Sequence, residues 1–499
     1  MLPTEIERND FGVKLNHLVS PAKPIQTVEQ LEGRTKELAR IEKALFAEGR
    51  HIFIYGDRGV GKSSLAAAAA NQCQSADAPY IDVSCSTDAT FKSIVANIGY
   101  QAISASRLRK TKVTKNVGLE LRFLKAGASS EITTHDLHDE IHSVADAGEV
   151  LREAAAIHSN RPIVVLDEFD RLSNEADKVL FGDLLKYVGD KKIGITFFFT
   201  GVGTTLEKLL GGHPSAIRQL ETIELPKLSW DARWDIARKA ANAFGLDLDD
   251  QTCVRLAAVS DGYPYYVHLL TEKLMWHVYE APTVITTIER EHYVAALHDA
   301  IESINAELRR PYDLAVSQRT EDYEEVLWAT ADSDYLDRTV DDIFTSYQYV
   351  MKQRDPFSGR TLASAAFRAI IQKLKSKPCG EVLVNSRFNR RGWYSYQEPV
   401  LRGYVRMQAE AHGIELIGEK PVAREVRQYV FTGYRDAASR NCKSTVMDAL
   451  HAGADVHQPV GTAASGRGSK LGGVMLAMDA KTASCMNFHR STPWRRQVS

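Results

Sequence analysis

Short apolar runs alternate with longer amphipathic stretches through the first half of the chain. "HIFIYG", 51–56, is apolar almost throughout and ends in glycine, as a strand buried on both faces does. "YIDVSCS", "IVVLDE" (163–168), "IGITFFFTG" (193–201) and "LETIELP" (220–226) repeat that character and complete a set of predicted strands. Helical spacing fills the intervals. "ELARIEKALFA", Glu37 to Ala47, has it, and "GKSSLAAAAANQC" is alanine-rich and suited to close packing. Strands alternating with helices predict an α/β fold with a parallel sheet covered on both faces. Ligands bind such sheets at the carboxyl ends of the strands. The glycine-rich turn after "HIFIY" and the "DE" at 167–168 both fall at that edge.

The pattern then changes several times. Residues 1–30 contain "SPAKPIQT" and read as an extended lead-in, because two prolines disfavour helix. The α/β unit spans 31–228, interrupted at about 100–145 by a stretch first basic and then rich in Gly, Ser and Thr, which reads as an insertion. Residues 229–310 read as entirely helical, with "WDARWDIARKAANAFG" ending at Gly245 and "PYYVHLLTEKLMWHVYE" following Gly262. In 311–418, helices are expected near 321–331, 339–353 and 361–375, followed by two strand-like runs around "NRRG". Three helices and a β-hairpin match a winged helix-turn-helix. Residues 419–499 are poor in bulky apolar side chains and read as a partly disordered tail. "ALHAGADVH" there has the turn end of an ankyrin repeat, but no second copy accompanies it.

Bulk properties narrow the classes. A chain of 499 residues is long enough for several buried cores. The net charge of −2 makes the whole chain no attractant for nucleic acid, so such binding would need a local patch. The six cysteines are scattered without a C-x-x-C pair, which argues against a zinc site or disulfide framework and for a reducing compartment. "MLPTEIERND" lacks the features of a secretory signal, and the most apolar runs are too short to span a bilayer. A cytoplasmic protein without a membrane partner is the expectation.

The candidate chemistry lies in two motifs. Gly56-Asp57-Arg58-Gly59-Val60-Gly61-Lys62-Ser63, continuing into Ser64, fits G-x-x-x-x-G-K-[ST] between a strand and a helix. Glycines let the loop curl its amides toward phosphate, and the helix beginning near Gly61 adds its positive end. Lys62 is expected to reach the β- and γ-phosphates of ATP, and the Ser63 hydroxyl to ligate Mg2+. In "VVLDEFD", Asp167 would hold magnesium through its water shell and Glu168 would orient and polarise the attacking water. Asp170 either assists them or, the reading preferred, is a surface partner for Arg171 or Lys178. Thr200 in "FFFTGVG" either holds water or senses the γ-phosphate, or simply forms a turn. Arg218, before the fifth strand, either reaches the site of a neighbouring subunit as a catalytic arginine or pairs with Glu221 or Glu207.

With these features in place, about residues 30–410 resemble the AAA+ ATPases, and within them the branch near origin-recognition-type and STAND ATPases. The resemblance is carried by "LEGRTKELARIEKAL", the phosphate loop, "VVLDEFDRL", "FFFTGVG", "SAIRQL" and "SDGYPYYVHLL". It implies strand order 5-1-4-3-2, a helical lid after the fifth strand, and Gly33 and Arg34 abutting the adenine pocket. Many AAA+ proteins carry a lid arginine that touches the γ-phosphate. Here that place reads Gly262-Tyr263-Pro264, similar to the G-x-P of STAND proteins, which implies Pro264 as an adenine contact and argues against fast processive turnover.

Charge segregates in the C-terminal region. Residues 313–342 hold ten acids against Arg319 and Arg338, and residues 359–406 hold ten bases against Glu381 and Glu398. Lys373, Lys375, Arg387, Arg390 and Arg391 are the candidate DNA contacts, the last two at the wing tip. Trp393, Tyr394 and Tyr396 read as hairpin core. Two functions follow. One is a slow ATPase that forms ATP-dependent homo-oligomers and holds duplex DNA through its winged helix. The other is a STAND-like signalling or defence switch, with a protein partner reached through the insertion or tail. A metabolic kinase fits less well, since Glu168 suits water activation and no phosphoacceptor pocket is evident.

Overall fold

The computed structural model describes residues 6–108, 134–159, 161–203, 218–317, 322–354, 359–386 and 390–416. Five parallel strands form its central sheet: β1 (His51–Tyr55), β2 (Ile81–Ser84), β3 (Ile163–Asp167), β4 (Thr196–Gly201) and β5 (Leu220–Glu224). Their order is β2-β3-β4-β1-β5, the expected 5-1-4-3-2 read from the other edge. Side chains alternate between two cores, as a period of two requires. Ile52, Ile54 and Phe198 enter the core shared with the lid helices. Phe53, Phe197 and Phe199 enter the opposite one, where Phe169 and Phe181 pack edge-on. The helix Lys62–Cys73 presents buried Ala66 to Ala70, and small residues there let it lie close over the sheet.

The expected insertion at about 100–145 is described only at its two ends. The helix Phe91–Leu108 runs into it, helices Thr134–Glu140 and Val144–His158 follow, and 109–133 lie outside the described residues. The lead-in is not simply extended. Residues Arg8–Leu18 form a helix whose Phe11 is 0% exposed and stacks among Phe244, Trp276 and Tyr279 of the lid. Only two bulky residues anchor it, Phe11 and Leu15, too few to stand out as periodicity. The extended stretch predicted from the prolines is confined to the residues after Val19.

The lid contains helices Trp230–Ala243, Asp250–Val259, Pro264–Tyr279 and Arg290–Ser303. It is not wholly helical, because β6 (Asp247–Leu248) pairs in parallel with β7 (Thr287–Ile288). Beyond it come helices Ala306–Val316 and Asp322–Ala331, β8 (Arg338–Thr339), helices Val340–Arg354 and Ser364–Lys373, then β9 (Leu383–Asn385), β10 (Trp393–Tyr396) and a last helix, Leu401–Ala411. These strands form an antiparallel sheet ordered β8-β10-β9. Tyr394 and Tyr396 are buried in its core, as expected, whereas Trp393 is only half-buried, with Arg390 over its ring. The tail from 417 lies outside the described residues, and among the described ones no helix is long and apolar enough to cross a membrane.

Two of the ten C-terminal bases do not face solvent. Arg402 and Arg406 are each 1% exposed, and both reach Asp261 of the lid, itself 3% exposed. Arg402 Nε and Nη2 donate to the two Asp261 carboxylate oxygens at 2.8 and 2.7 Å. Arg406 stands 3.3 Å from the same carboxylate and donates to the carbonyls of Ala258, Ala331 and Ser333. Lys227 Nζ completes the cluster at 2.8 Å. Burial opposes ionisation of Asp261, but three cations hold its carboxyl well below the usual range. Burial, reinforced by Arg402, lowers Lys227 to about 7 against the pull of Asp261. The segregated charge is therefore partly internal. Arg360 pairs with Asp322 and Arg368 with Asp341, joining the basic segment to the acidic one.

Candidate nucleotide site

The phosphate loop turns between β1 and the helix Lys62–Cys73. Gly59 and Gly61 take φ of +81° and +96°, left-handed values at which an L side chain would be strained. Lys62 Nζ folds back on the loop and donates to the carbonyls of Gly56 at 3.1 Å and Asp57 at 2.8 Å. Its pKa is lowered, chiefly by burial, with Asp170, Asp57 and Asp167 pulling the other way. A half-buried cation over a glycine loop is a receptor for phosphate charge.

The acidic motif meets this loop at the end of β3. Ser63 Oγ donates to Asp167 Oδ1 at 2.8 Å, and Thr200 Oγ1 donates to the same oxygen at 2.5 Å. The backbone N–H of Glu168 in turn donates to Thr200 Oγ1 at 2.9 Å. The ends of β3 and β4 are thus joined through the Thr200 hydroxyl, and Ser63 ties the loop to them at Asp167 Oδ1. Glu168 adopts φ +53°, a strained value for a non-glycine residue, at the turn into the 3-10 segment Phe169–Arg171. Its carboxylate pairs with Arg171 at 2.8 Å. Asp170 therefore lacks the partner expected for it. It faces Arg58 of the phosphate loop at 3.8 Å, while Lys178 pairs with Glu175.

A cavity of about 770 Å³ runs from this chemistry to the lid. Of the expected site residues, Arg34, Arg58 through Ser64, Glu168, Thr200 and Pro264 line it. Gly56 and Asp57 act behind it as the carbonyls that hold Lys62. Arg34 is buried and donates to Val60 O at 2.9 Å, and any side chain at Gly33 would overlap Ala232. Arg218 is exposed just before β5 and is not among the lining residues; Glu221, one partner considered for it, pairs with Arg40 and Arg50. The segment Ser20–Ile25, Arg171 and His268 are among the lining residues that the sequence did not point to. His268 lies four residues after Pro264 on the same helix, a spacing that places both on one face and was available as a signal.

Hard oxygen donors at Ser63 and Asp167 beside the loop suit magnesium. Among the described residues no cluster of His, Cys, Asp and Glu forms a ready-made metal site, so such an ion would lean on phosphate oxygens as well. A second cleft, of about 470 Å³, lies between the helix Ser364–Lys373 and the β9–β10 hairpin. Arg368, Lys375, Arg390 and Arg391 line it; Lys373 stands instead over the Tyr323 ring, and Arg387 lies outside the described residues.

Residues 30–191 match the family model of the AAA ATPase domain, a stretch that includes the phosphate loop, Asp167 and Glu168. No curated protein matches the sequence. Among solved structures, the Walker-type ATPase PABY2304 of Pyrococcus abyssi is 16% identical, covering 77% of this chain and 99% of its own, with a TM-score of 0.47. The Orc1 protein of Aeropyrum pernix, solved in complex with DNA, is 15% identical over 76% of this chain and 93% of its own, with a TM-score of 0.39. The RuvB Holliday junction branch migration motor of Thermotoga maritima is 12% identical over 79% and 99%, with a TM-score of 0.36.

Proposed function

We propose that this protein is a slow ATPase that uses its nucleotide state as a switch or assembly lock. The carrying observation is the hydrogen-bonded chain Ser63–Asp167–Thr200–Glu168 set against the phosphate loop. In this reading the loop amides and Lys62 bind the phosphates, and Ser63 and Asp167 hold magnesium. Bound there, magnesium would supply charge neutralisation between the phosphates. Glu168 polarises water, and Thr200 fixes the backbone from which Glu168 projects. Arg171 occupies the Glu168 carboxylate at 2.8 Å, so in this reading it must release Glu168 before that carboxylate can orient water. That requirement supports low basal turnover, as does the absence of an arginine at Gly262–Pro264. In this reading Arg218, exposed and not among the lining residues of the cavity, serves a neighbouring subunit in a homo-oligomer.

The region 311–418 is read as a winged helix that senses the loop. Val400 sits where a side chain at Gly59 would meet it at 3.4 Å, Glu398 faces Arg58 at 3.8 Å, and Tyr266 Oη donates to Val400 O at 2.9 Å. Duplex DNA is the proposed partner, held in the cleft of Arg368, Lys375, Arg390 and Arg391. A STAND-like signalling role with a protein partner is the second reading, favoured by the burial of Arg402 and Arg406 and by the pairing of Arg360 and Arg368 with acids. Both readings place the protein in the cytoplasm.

Glu168→Gln should bind ATP with wild-type affinity and lose roughly 10²–10⁴-fold in hydrolysis. Unchanged hydrolysis would remove Glu168 from the mechanism. Lys62→Ala should weaken ATP binding by roughly 10- to 100-fold, read by equilibrium titration. For the DNA reading, affinity for duplex in the presence of ATP should fall steeply between low and physiological salt. Undetectable binding at low salt, with turnover raised by a protein fraction and not by DNA, would establish the second reading instead.

A further inference from the structure

At its lid side the cavity is closed by Pro264, Tyr265 and His268 from one helix and by the segment Ser20–Ile25 opposite them. His268 is 3% exposed yet lines the cavity. The backbone N–H of Ser20 donates to its Nδ1 at 3.4 Å. Burial lowers its pKa to about 4, so the ring is neutral near pH 7. A neutral imidazole that accepts at Nδ1 carries its proton on Nε2. That Nε2–H has no partner within the described protein. A donor that opens on a ligand cavity is available to an acceptor on the ligand.

We propose that His268 reads the base of the bound nucleotide, its Nε2–H donating to a ring nitrogen of the purine while Ser20 fixes the tautomer. The proposal rests on the cavity being a nucleotide site. The lid side offers Pro264 and Ile25 as apolar surface for a flat ring, and His268, four residues along from Pro264, supplies a directional group on the same helix face. Purine ring nitrogens are acceptors in the ring plane, the complement of a fixed N–H donor. Specificity then arises in the usual way for buried polar sites, since a ligand lacking the acceptor leaves the donor unpaired.

The test uses the full chain, with ATP, its 1-deaza, 3-deaza and 7-deaza analogues, and ribose 5′-triphosphate as probes. His268→Leu should weaken ATP binding by about 3- to 10-fold, the effect of one neutral hydrogen bond. One deaza analogue should bind the wild type as weakly as ATP binds His268→Leu, and should lose nothing further in the variant. Ribose 5′-triphosphate should bind both alike. His268→Gln, whose amide can accept from Ser20 and donate to the base, should recover part of the loss. Unchanged ATP affinity in His268→Leu overturns the proposal. So does an equal loss for ribose 5′-triphosphate, or an equal loss for ATP and all three analogues, since either means that His268 only shapes the Ser20–Ile25 wall. Failure of the wild type to bind ATP at all overturns the nucleotide reading itself, and this proposal with it.

Discussion

Thr200 shows how much one buried hydroxyl organises. Its oxygen donates to Asp167 and accepts the Glu168 N–H, so it ties the acidic pair of β3 to the end of β4. Thr200→Val keeps the shape and removes both bonds. Leaving the Glu168 N–H unpaired should cost about 1–3 kcal/mol of stability. The freed Glu168 should lose alignment, and a displacement of this kind lowers kcat by roughly 10²-fold while ATP affinity stays close to wild type. Steady-state hydrolysis with a parallel binding titration checks it; a variant with unchanged kcat would reduce Thr200 to a turn residue. The sequence already offered Thr200 as a candidate, because a polar residue ending an apolar run is conspicuous. It did not offer Arg171 in its true role, because a charge three residues from two carboxylates has no unique partner on paper. Local backbone geometry, φ +53° at Glu168, decides that Arg171 meets Glu168 and that Asp170 turns to Arg58.

At the level of elements, the central sheet was readable because each strand is a short apolar run bounded by turn residues. The helix Arg8–Leu18 was not. Its polar residues outnumber its buried ones, and its partners Phe244, Trp276 and Tyr279 lie more than two hundred residues away in sequence. It nevertheless leads directly into Ser20–Ile25, one wall of the cavity, where Ile25 N donates to Ser64 Oγ at 3.0 Å. Phe11→Ala should therefore do two things. It should cost about 3–5 kcal/mol of stability, as truncation of a fully buried aromatic does. It should also weaken nucleotide binding although Phe11 is not among the cavity's lining residues. Chemical denaturation and ATP titration on the same protein test both parts, and a stability loss with unchanged affinity would mean that the cavity wall holds without its helix.

Over the whole molecule, buried titratable groups set the pH response. Burial lowers His51 from 6.5 to about 3, with Arg161 adding to the effect, and lowers His268 to about 4. Between pH 6.5 and about 4 the unfolded chain binds protons at these histidines and the folded chain does not. Stability should therefore decline as pH falls through that window. Lys227 acts at the other side: its ordinary value of 10.5 falls to about 7 in the fold, so stability should rise as pH increases from about 7 toward 10.5. Thermal midpoints measured across pH 4 to 10 at fixed ionic strength check both slopes, and a flat profile below pH 6.5 would contradict the burial of the two histidines as neutral rings.

The cluster around Asp261 has a consequence for how this chain can be divided. The composition break near residue 310 looks like a seam between modules. Yet Asp261 lies on one side of it, and Arg402 and Arg406, both 1% exposed, lie on the other. Severing such a contact leaves bare charges where water was excluded, at about 3–5 kcal/mol per broken buried pair. Neither half can be transplanted into another protein, or produced alone, without a counter-charge to replace the one left behind. The two parts are in that sense a single heritable unit: a substitution at Asp261 is tolerable only where both arginines change with it.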